Sequence, residues 1–334
     1  MKQSNTDVEL ADKIHQAYQM IRRALSKVIV GQDEVLEQLL TALLARGHCL
    51  LVGVPGLAKT LIIRTLGQII DLHFSRIQFT PDLMPSDITG TEILEEDRSS
   101  GHKIFKFVRG PVFANLVLAD EINRTPPKTQ SALLEAMQEY KVTAAGQSYE
   151  LEKPFFVLAT QNPIEQEGTY PLPEAQLDRF MFSLWLDYPE ASQEMEIVKR
   201  TTVEEEVQAK KIIKKEQIIE FQNLIRKVPV SDHLVEYAVK LVSSTRPGSK
   251  EADPKIAQWV RWGAGPRASQ YLILGAKVRA VLNKRYTPQI EDVKAMALPV
   301  LRHRILPSYS VEAEGMKVDD IINFILEQVS ERQS

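Results

Sequence analysis

The sequence is poor in cysteine and has no long apolar run. Cys49 is the only cysteine among 334 residues, so the chain cannot form an internal disulfide, which suits a reducing compartment. The absence of any run of about 18 apolar residues excludes a membrane-spanning helix. The stretch from Met1 to Asp12 lacks the apolar core of a signal peptide. We therefore expect a soluble protein of the cytoplasm that folds without covalent crosslinks.

The sequence also lacks a strong excess of either charge. It carries 41 Lys and Arg against 44 Asp and Glu, for a formal net charge of −3. This balance argues against attraction of the whole surface to nucleic acid or anionic lipid and leaves only a local basic patch possible. The hydrophobic fraction of 44% and the charged fraction of 25% are ordinary for a globular protein. The length corresponds to about two domains.

Five short apolar segments predict the strands of one sheet. They alternate with segments of helical periodicity, which favours α/β units around a mostly parallel, five-stranded sheet. After Pro189 the strand patterns stop and helical patterns continue. We therefore predict an α/β domain over residues 1–189 and an all-helical domain over residues 190–334. The five predicted strands are His48–Val52, Phe74–Phe79, Leu116–Ala119, Phe155–Ala159 and Phe182–Leu186.

Two β-hairpins are predicted to interrupt this alternation. The first pairs Thr89–Leu94 with Lys103–Val108, and the second pairs Lys141–Thr143 with Ser148–Leu151. Hairpins that project from an α/β core are often functional loops, although surface decoration is the alternative.

The first predicted strand runs into a glycine-containing turn, Gly53-Val-Pro-Gly-Leu-Ala-Lys-Thr60, that precedes a helix. Backbone N–H groups in such a turn, together with the positive end of the helix, form a cradle for phosphates. Lys59 would reach the β- and γ-phosphates and the Thr60 hydroxyl would bind Mg²⁺. Ala58 replaces the usual glycine, and we expect it to keep a negative φ. The alternative is an ordinary strand–helix turn.

A second predicted strand, Leu116–Ala119, ends in two carboxylates. In a chain with a phosphate loop, this places Asp120 beside the Mg²⁺ held by Thr60. Glu121 could then accept a proton from a water aligned with the γ-phosphate. The alternative is that both acids merely begin a solvated loop.

Further polar side chains are candidates for the same chemistry. Asn162 follows the predicted strand Phe155–Ala159 and could orient the attacking water, or it could simply form a turn before Pro163. Arg179 and Arg267 could stabilise charge on a transferring phosphoryl group, although a lone arginine is more often part of a surface ion pair. Arg246 is a weaker candidate.

Taken together and in this order, the motifs resemble those of AAA+ ATPases of the MoxR type. The resemblance covers nearly the whole chain, from Val28–Gln32 to Val300–Arg304. It is carried by Gly53–Thr60, Asp120–Arg124, Ala159–Pro163, Glu174–Phe180 and Gly265–Ala268. It implies an AAA+ core with a helical lid, in which the two hairpins are the helix-2 insert and the pre-sensor-1 insert.

The resemblance also implies a role for each candidate residue. Thr60 and Asp120 would hold Mg²⁺, and Glu121 would be the catalytic base. Asn162 would be sensor 1 and Arg179 the arginine finger offered to a neighbouring subunit. Arg267 would be sensor 2, acting on the nucleotide of its own subunit. ATP would contact Val30, Gly31, Gly53, Val54, Pro55, Gly56, Leu57, Ala58, Lys59, Thr60 and Leu61.

Such families form hexameric rings and are thought to remodel partner proteins. The resemblance implies a partner with a von Willebrand factor A domain, and a role in maturation or metal insertion. Two alternatives remain. One is a nucleotide-dependent binding switch with little turnover. The other is a DNA-acting ring, which would depend on the lysines of residues 210–215, a cluster more typical of a solvated face.

Overall fold

The structure of the chain, a computed structural model, describes residues 2–96, 102–144, 146–164, 168–202 and 210–331. The strands are β1 (Cys49–Gly53), β2 (Phe74–Gln78), β3 (Gly90–Glu96), β4 (Lys103–Arg109), β5 (Leu116–Asp120), β6 (Lys141–Ala144), β7 (Gln147–Glu150), β8 (Phe156–Gln161), β9 (Phe182–Leu186), β10 (Val260–Trp262) and β11 (Leu306–Pro307).

The helices begin with α1 (Lys2–Val28), α2 (Asp33–Ala45), α3 (Lys59–Ile70), α4 (Pro85–Thr89), α5 (Pro127–Glu139), α6 (Glu174–Leu177) and α7 (Ala191–Thr201). They continue with α8 (Lys215–Lys227), α9 (Asp232–Ser243), α10 (Ile256–Trp259), α11 (Pro266–Leu282), α12 (Ile290–Ala295), α13 (Ala297–Leu301), α14 (Tyr309–Ala313) and α15 (Val318–Glu331). Within the described ranges, no helix combines the length and apolar character needed to cross a membrane.

The predicted five-stranded sheet is confirmed. Its strands are all parallel and lie in the order β2-β5-β8-β1-β9. Both faces are buried, because alternate residues of β5 enter different apolar cores: Leu116 and Leu118 pack into one, and Val117 and Ala119 into the other. This explains the continuous apolar runs in the sequence. It also places the carboxyl ends of all five strands at one edge of the sheet.

The two predicted hairpins are also present, as the antiparallel pairs β3–β4 and β6–β7. Gly90 starts the first with φ +97, and an added Cβ would lie 2.2 Å from the Val108 carbonyl oxygen, so glycine is required there. Phe107 of β4 stacks on Tyr149 of β7 with ring centroids 4.2 Å apart. The hairpins are therefore joined to each other as well as to the core.

The C-terminal region is not purely helical, so that expectation is wrong in detail. β10 and β11 form a short antiparallel pair in which Val260 lies opposite Pro307. Strands of two or three residues leave no periodicity in the sequence, and only the folding of the lid brings them together. One apolar core extends from α1 and α2 into α8, α9, α11 and α15. The domain boundary at residues 189 and 190 stays a prediction.

His48 sits immediately before β1 and links two other elements. Its Nε2 lies 3.1 Å from the Met137 carbonyl oxygen of α5, and its Nδ1 accepts the Val157 N–H of β8 at 3.0 Å. The ring is buried, and this burial lowers the pKa of His48 to about 4 from an ordinary value of 6.5. The folded protein therefore holds the imidazole neutral, because a proton on Nδ1 would oppose the Val157 donor.

We expect His48 to make the folded state less stable in acid. Its contribution is complete above pH 6.5, the unfolded pKa, and is lost as pH falls toward about 4, the folded pKa. The loss would be on the order of 3 kcal/mol. Urea unfolding of wild type and His48→Gln between pH 7 and 4.5 measures it, because the variant cannot bind that proton. The difference in their unfolding free energies should shrink with acidity. The exposed variant His233→Gln is the control, and its difference from wild type should not change with pH. A difference for His48→Gln that is equally independent of pH would contradict the prediction.

Candidate functional site

The turn after β1 has the open shape expected of a phosphate loop. Gly53 ends β1, Lys59 begins α3, and Gly56 has φ +87 with no atom within 4 Å of an added Cβ. Ala58 has φ 57, so the expectation of a negative φ is wrong. Ala58 is the N-cap of α3, and its left-handed backbone is the conformation that glycine adopts at least cost. The alanine methyl costs about 1 kcal/mol there.

The two residues that open α3 lie at the mouth of this loop. Lys59 Nζ donates a hydrogen bond of 2.7 Å to the Gly53 carbonyl oxygen, so its side chain folds back across the loop. Thr60 follows it in the first helical turn and is half-buried. The positive end of α3 lies behind them, an arrangement that favours a bound anion, and their role in phosphate binding stays a prediction.

An apolar cavity of about 250 Å³ adjoins the loop. Its walls come from three parts of the chain: the α1–α2 connection, the start of α3 and helix α7. This shape and lining suit a flat aromatic base. Gly31 does not line it, and the sequence reasoning missed the α7 wall. The lining residues are Val28, Ile29, Val30, Gln32, Gly56, Leu57, Ala58, Leu61, Ile62, Pro189, Ile197, Arg200 and Thr201.

The acidic pair at the carboxyl end of β5 is held by neighbouring side chains. Asp120 Oδ1 accepts from the Thr160 hydroxyl at 2.6 Å, and its Oδ2 accepts from Arg76 Nη2 at 2.6 Å and Nε at 3.2 Å. Glu121 Oε2 accepts from Gln78 Nε2 at 2.8 Å and from Arg124 Nη1 at 3.0 Å. Both carboxylates are thus paired, and neither simply starts a solvated loop.

Two of these partners could have been found in the sequence. Arg76 and Gln78 are polar residues at alternate positions of a predicted strand, so they share one face near its carboxyl end. Arg76 Nη2 also donates to Gln78 Oε1 at 2.6 Å. The edge strand β2 therefore presents a polar network to both acids.

Asn162 lies directly after β8, the strand between β1 and β5. In the register of the sheet, Val52 lies opposite Gln161, so Asn162 stands beside the phosphate loop. It is buried, and its Oδ1 accepts the Ile164 N–H at 3.2 Å. Asn162 can form a turn and still orient a water, because the turn lies at the edge of the sheet that carries Lys59, Thr60, Asp120 and Glu121.

The two arginines lie at the opposite edge of the sheet. Arg179 precedes β9, and Arg267 lies in the first turn of α11. Both line a cavity of about 870 Å³ with His48, which marks the amino end of β1. A five-residue strand such as β1 is about 17 Å long, so the phosphate loop of the same chain is far away.

Arg267 therefore lies far from the phosphate loop of its own subunit, on whose nucleotide the resemblance implies that it acts. Its Nη1 donates to Asp178 Oδ2 at 3.0 Å, and this ion pair holds the start of α11 beside Arg179. The cavity is strongly basic, a property that no local sequence pattern revealed. Its arginines are Arg46, Arg179, Arg226, Arg246 and Arg267.

Comparisons with known proteins agree with this geometry. A five-stranded parallel sheet with a phosphate loop after β1 and a helical lid is the P-loop AAA+ fold. Residues 48–182 match the ATPase family associated with various cellular activities (AAA), and residues 255–325 match the AAA lid domain. A crystal structure of a candidate ATPase from Cytophaga hutchinsonii has 43% sequence identity and a TM-score of 0.91, covering 98% of each chain.

Similarity to named proteins identifies the type of AAA+ ATPase to which the chain belongs. Chaperone MoxR1 of Mycobacterium tuberculosis is 43% identical over 96% of this chain and 84% of its own length. Protein YeaC of Bacillus subtilis is 41% identical over 91% and 92%, respectively. Protein MoxR of Methylorubrum extorquens is 30% identical over 92% and 93%. The chain belongs to the MoxR-type AAA+ ATPases.

Proposed function

We propose that the chain hydrolyses ATP with Mg²⁺ in a ring of identical subunits and uses the energy to remodel a partner protein. The observation that carries the proposal is the division of the site between opposite edges of one sheet. Nucleotide-binding and acidic residues lie at the carboxyl edge, and Arg179 and Arg267 lie at the amino edge. A complete site then needs two chains, packed head to tail. Repetition of such a contact forms a ring when the rotation between neighbours closes on itself, and we propose a ring of six subunits.

The residues at the carboxyl edge fit ATP and Mg²⁺. The apolar cavity suits adenine, and the open loop at Gly56 leaves room for phosphates. Thr60 and Asp120 supply the oxygen ligands that Mg²⁺ prefers. The ion would neutralise charge on the phosphates when bound. Asp120 would have to exchange the Arg76 guanidinium for it, since that guanidinium now pairs with its Oδ2.

The remaining residues divide the hydrolytic chemistry. The oxygen of a water held by Asn162 attacks the γ-phosphorus, the bond to the β-phosphate oxygen breaks, and Glu121 takes the proton of that water. Lys59 binds the β- and γ-phosphates. Arg179 and Arg267 of the neighbouring chain stabilise the charge that develops on the transferred group.

A protein partner fits the exposed surface of the first hairpin. Its side chains Leu94 and Phe105 lie opposite each other and are 55% and 73% exposed. The name of the mycobacterial relative supports a chaperone role. We propose that the partner carries a von Willebrand factor A domain, and that remodelling serves maturation or metal insertion.

The DNA-acting alternative finds little support in the basic cluster. Residues 210–214 precede α8 and Lys215 is its first residue, so the lysines do not share one face of a helix. Lys211 pairs with Asp71 and Lys215 with Glu152.

The binding-switch alternative is tested by steady-state phosphate release, which should be measurable and should rise when a partner is added.

Substitutions at the carboxyl edge should separate binding from hydrolysis. Lys59→Ala should weaken ATP binding about 10- to 100-fold, because it removes charged hydrogen bonds to phosphate. Glu121→Gln should bind ATP normally but lower kcat about 10²- to 10⁴-fold, because the proton acceptor is lost. Fluorescent-nucleotide titration and phosphate release measure the two effects. The exposed Glu9→Gln is the control, and normal turnover of Glu121→Gln would refute its role.

Removal of Arg76 should ease binding of Mg²⁺, since this guanidinium occupies the Asp120 carboxylate. In Arg76→Ala, the Mg²⁺ concentration for half-maximal hydrolysis should fall about two- to fivefold, the value of a partly exposed ion pair. Lys211→Ala, which breaks an ion pair outside the site, should leave that concentration unchanged. An unchanged or higher value in Arg76→Ala would show that the arginine does not compete with the cation.

Mixed rings should show that the arginines act between subunits. Arg179→Ala and Arg267→Ala should each bind ATP normally, and Arg179→Ala should lose about 10³-fold in kcat. A mixture of Arg179→Ala with Glu121→Gln should regain hydrolysis, because each variant supplies what the other lacks. Activity no greater than the sum of the separate variants would exclude the intersubunit arrangement.

A further inference from the structure

Arg304 is a buried arginine that the proposed chemistry does not use. It follows α13 in the lid, and its side chain is only 2% exposed. Burial lowers the pKa of its guanidinium, and the neighbouring Asp178 carboxylate opposes that shift. A buried guanidinium is costly unless nearly all of its donors are satisfied, so its contacts show what it holds in place.

Those contacts surround Arg179 on both sides. Arg304 Nη2 donates to the carbonyl oxygens of Asp178 at 2.9 Å and Phe180 at 2.6 Å. Its Nη1 donates to the Met181 carbonyl oxygen at 3.3 Å. The planar guanidinium of Arg304, which belongs to the lid, thus binds the backbone of the core immediately before and after Arg179. Tyr271 of the lid binds the same backbone segment, because its hydroxyl donates to the Arg179 carbonyl oxygen at 3.4 Å.

The same guanidinium is tied to Arg267 through a shared carboxylate. Arg304 Nε donates to Asp178 Oδ1 at 2.7 Å, while Arg267 Nη1 donates to Asp178 Oδ2 at 3.0 Å. Asp178 therefore stands between the two arginines. The Arg304 guanidinium also lies 5.2 Å from the centre of the Tyr271 ring, within range of a cation–π contact.

We propose that Arg304 is a positioning residue that, through Asp178, sets Arg179 and Arg267 as one unit facing the nucleotide of the neighbouring subunit. This inference rests on the proposed function. Arginine side chains are long and flexible, so their reach depends on where the backbone is anchored. A lysine at position 304 would supply a point charge but not the planar fork that spans a carboxylate and several carbonyls.

Arg304→Lys should therefore lose hydrolysis while its own nucleotide site stays intact. We expect ATP binding within about twofold of wild type and a kcat about 10- to 100-fold lower, because a misplacement of about 1 Å is costly in catalysis. KM for ATP should change little. Asp178→Asn, which weakens the link between Arg304 and Arg267, should give the same pattern, and it decides the matter if Arg304→Lys does not fold.

Complementation distinguishes positioning from a structural role in the lid. Mixed with Glu121→Gln, Arg304→Lys should regain hydrolysis, because the Glu121→Gln subunit offers a correctly placed arginine pair. Mixed with Arg179→Ala, it should not recover, since neither subunit offers one. The matched control is Arg302→Gln, which removes an arginine from the same helix end. Arg302 pairs with Asp319 and contributes none of the hydrogen bonds described here to residues 178–181.

The outcomes are separable. If Arg179→Ala fails to complement Glu121→Gln, the intersubunit function itself is wrong, and this inference fails with it. If Arg179→Ala complements Glu121→Gln but Arg304→Lys and Asp178→Asn do not, Arg304 only stabilises the lid and the inference is overturned. The inference is also overturned if Arg304→Lys and Asp178→Asn hydrolyse ATP as fast as Arg302→Gln.

Discussion

The common direction of five strands governs the chemistry of this protein. Because the sheet is parallel, every polar side chain that follows a strand lies at one edge, and every side chain that precedes a strand lies at the other. Lys59 and Asp120 belong to the first group and Arg179 to the second. The fold separates them by about the length of a strand. A single chain therefore carries these two groups of side chains at opposite edges of the sheet, and the proposed site between subunits rests on this separation.

At the carboxyl edge, both carboxylates of the acidic pair have side-chain partners from the same chain. Asp120 is bound by Thr160 and Arg76, and Glu121 by Gln78 and Arg124. These contacts compensate the cost of holding two carboxylates together in a largely buried place. They also mean that a cation or a water must compete with β2 for the acids.

Much of the fold and half of the site could be predicted because their signals are local. A buried parallel strand appears as an apolar run, and the residues after it are known to lie at the sheet edge, so Gly53–Thr60 and Asp120–Glu121 were placed correctly. The negative φ expected of Ala58 was wrong, because the local sequence does not reveal the left-handed backbone that this residue adopts before α3. β10 and β11 are too short to leave a pattern.

The sequence by itself determined the elements, the phosphate loop and the acidic pair, since each depends on neighbours within a few residues. The tertiary structure alone decided at which edge of the sheet the arginines lie. Arg267 and Arg304 are separated from Asp178 by 89 and 126 positions, and no periodicity records that they share its carboxylate. Ion pairs form wherever folding brings charges together, and that proximity comes from the packing of the lid against the amino edge of the sheet.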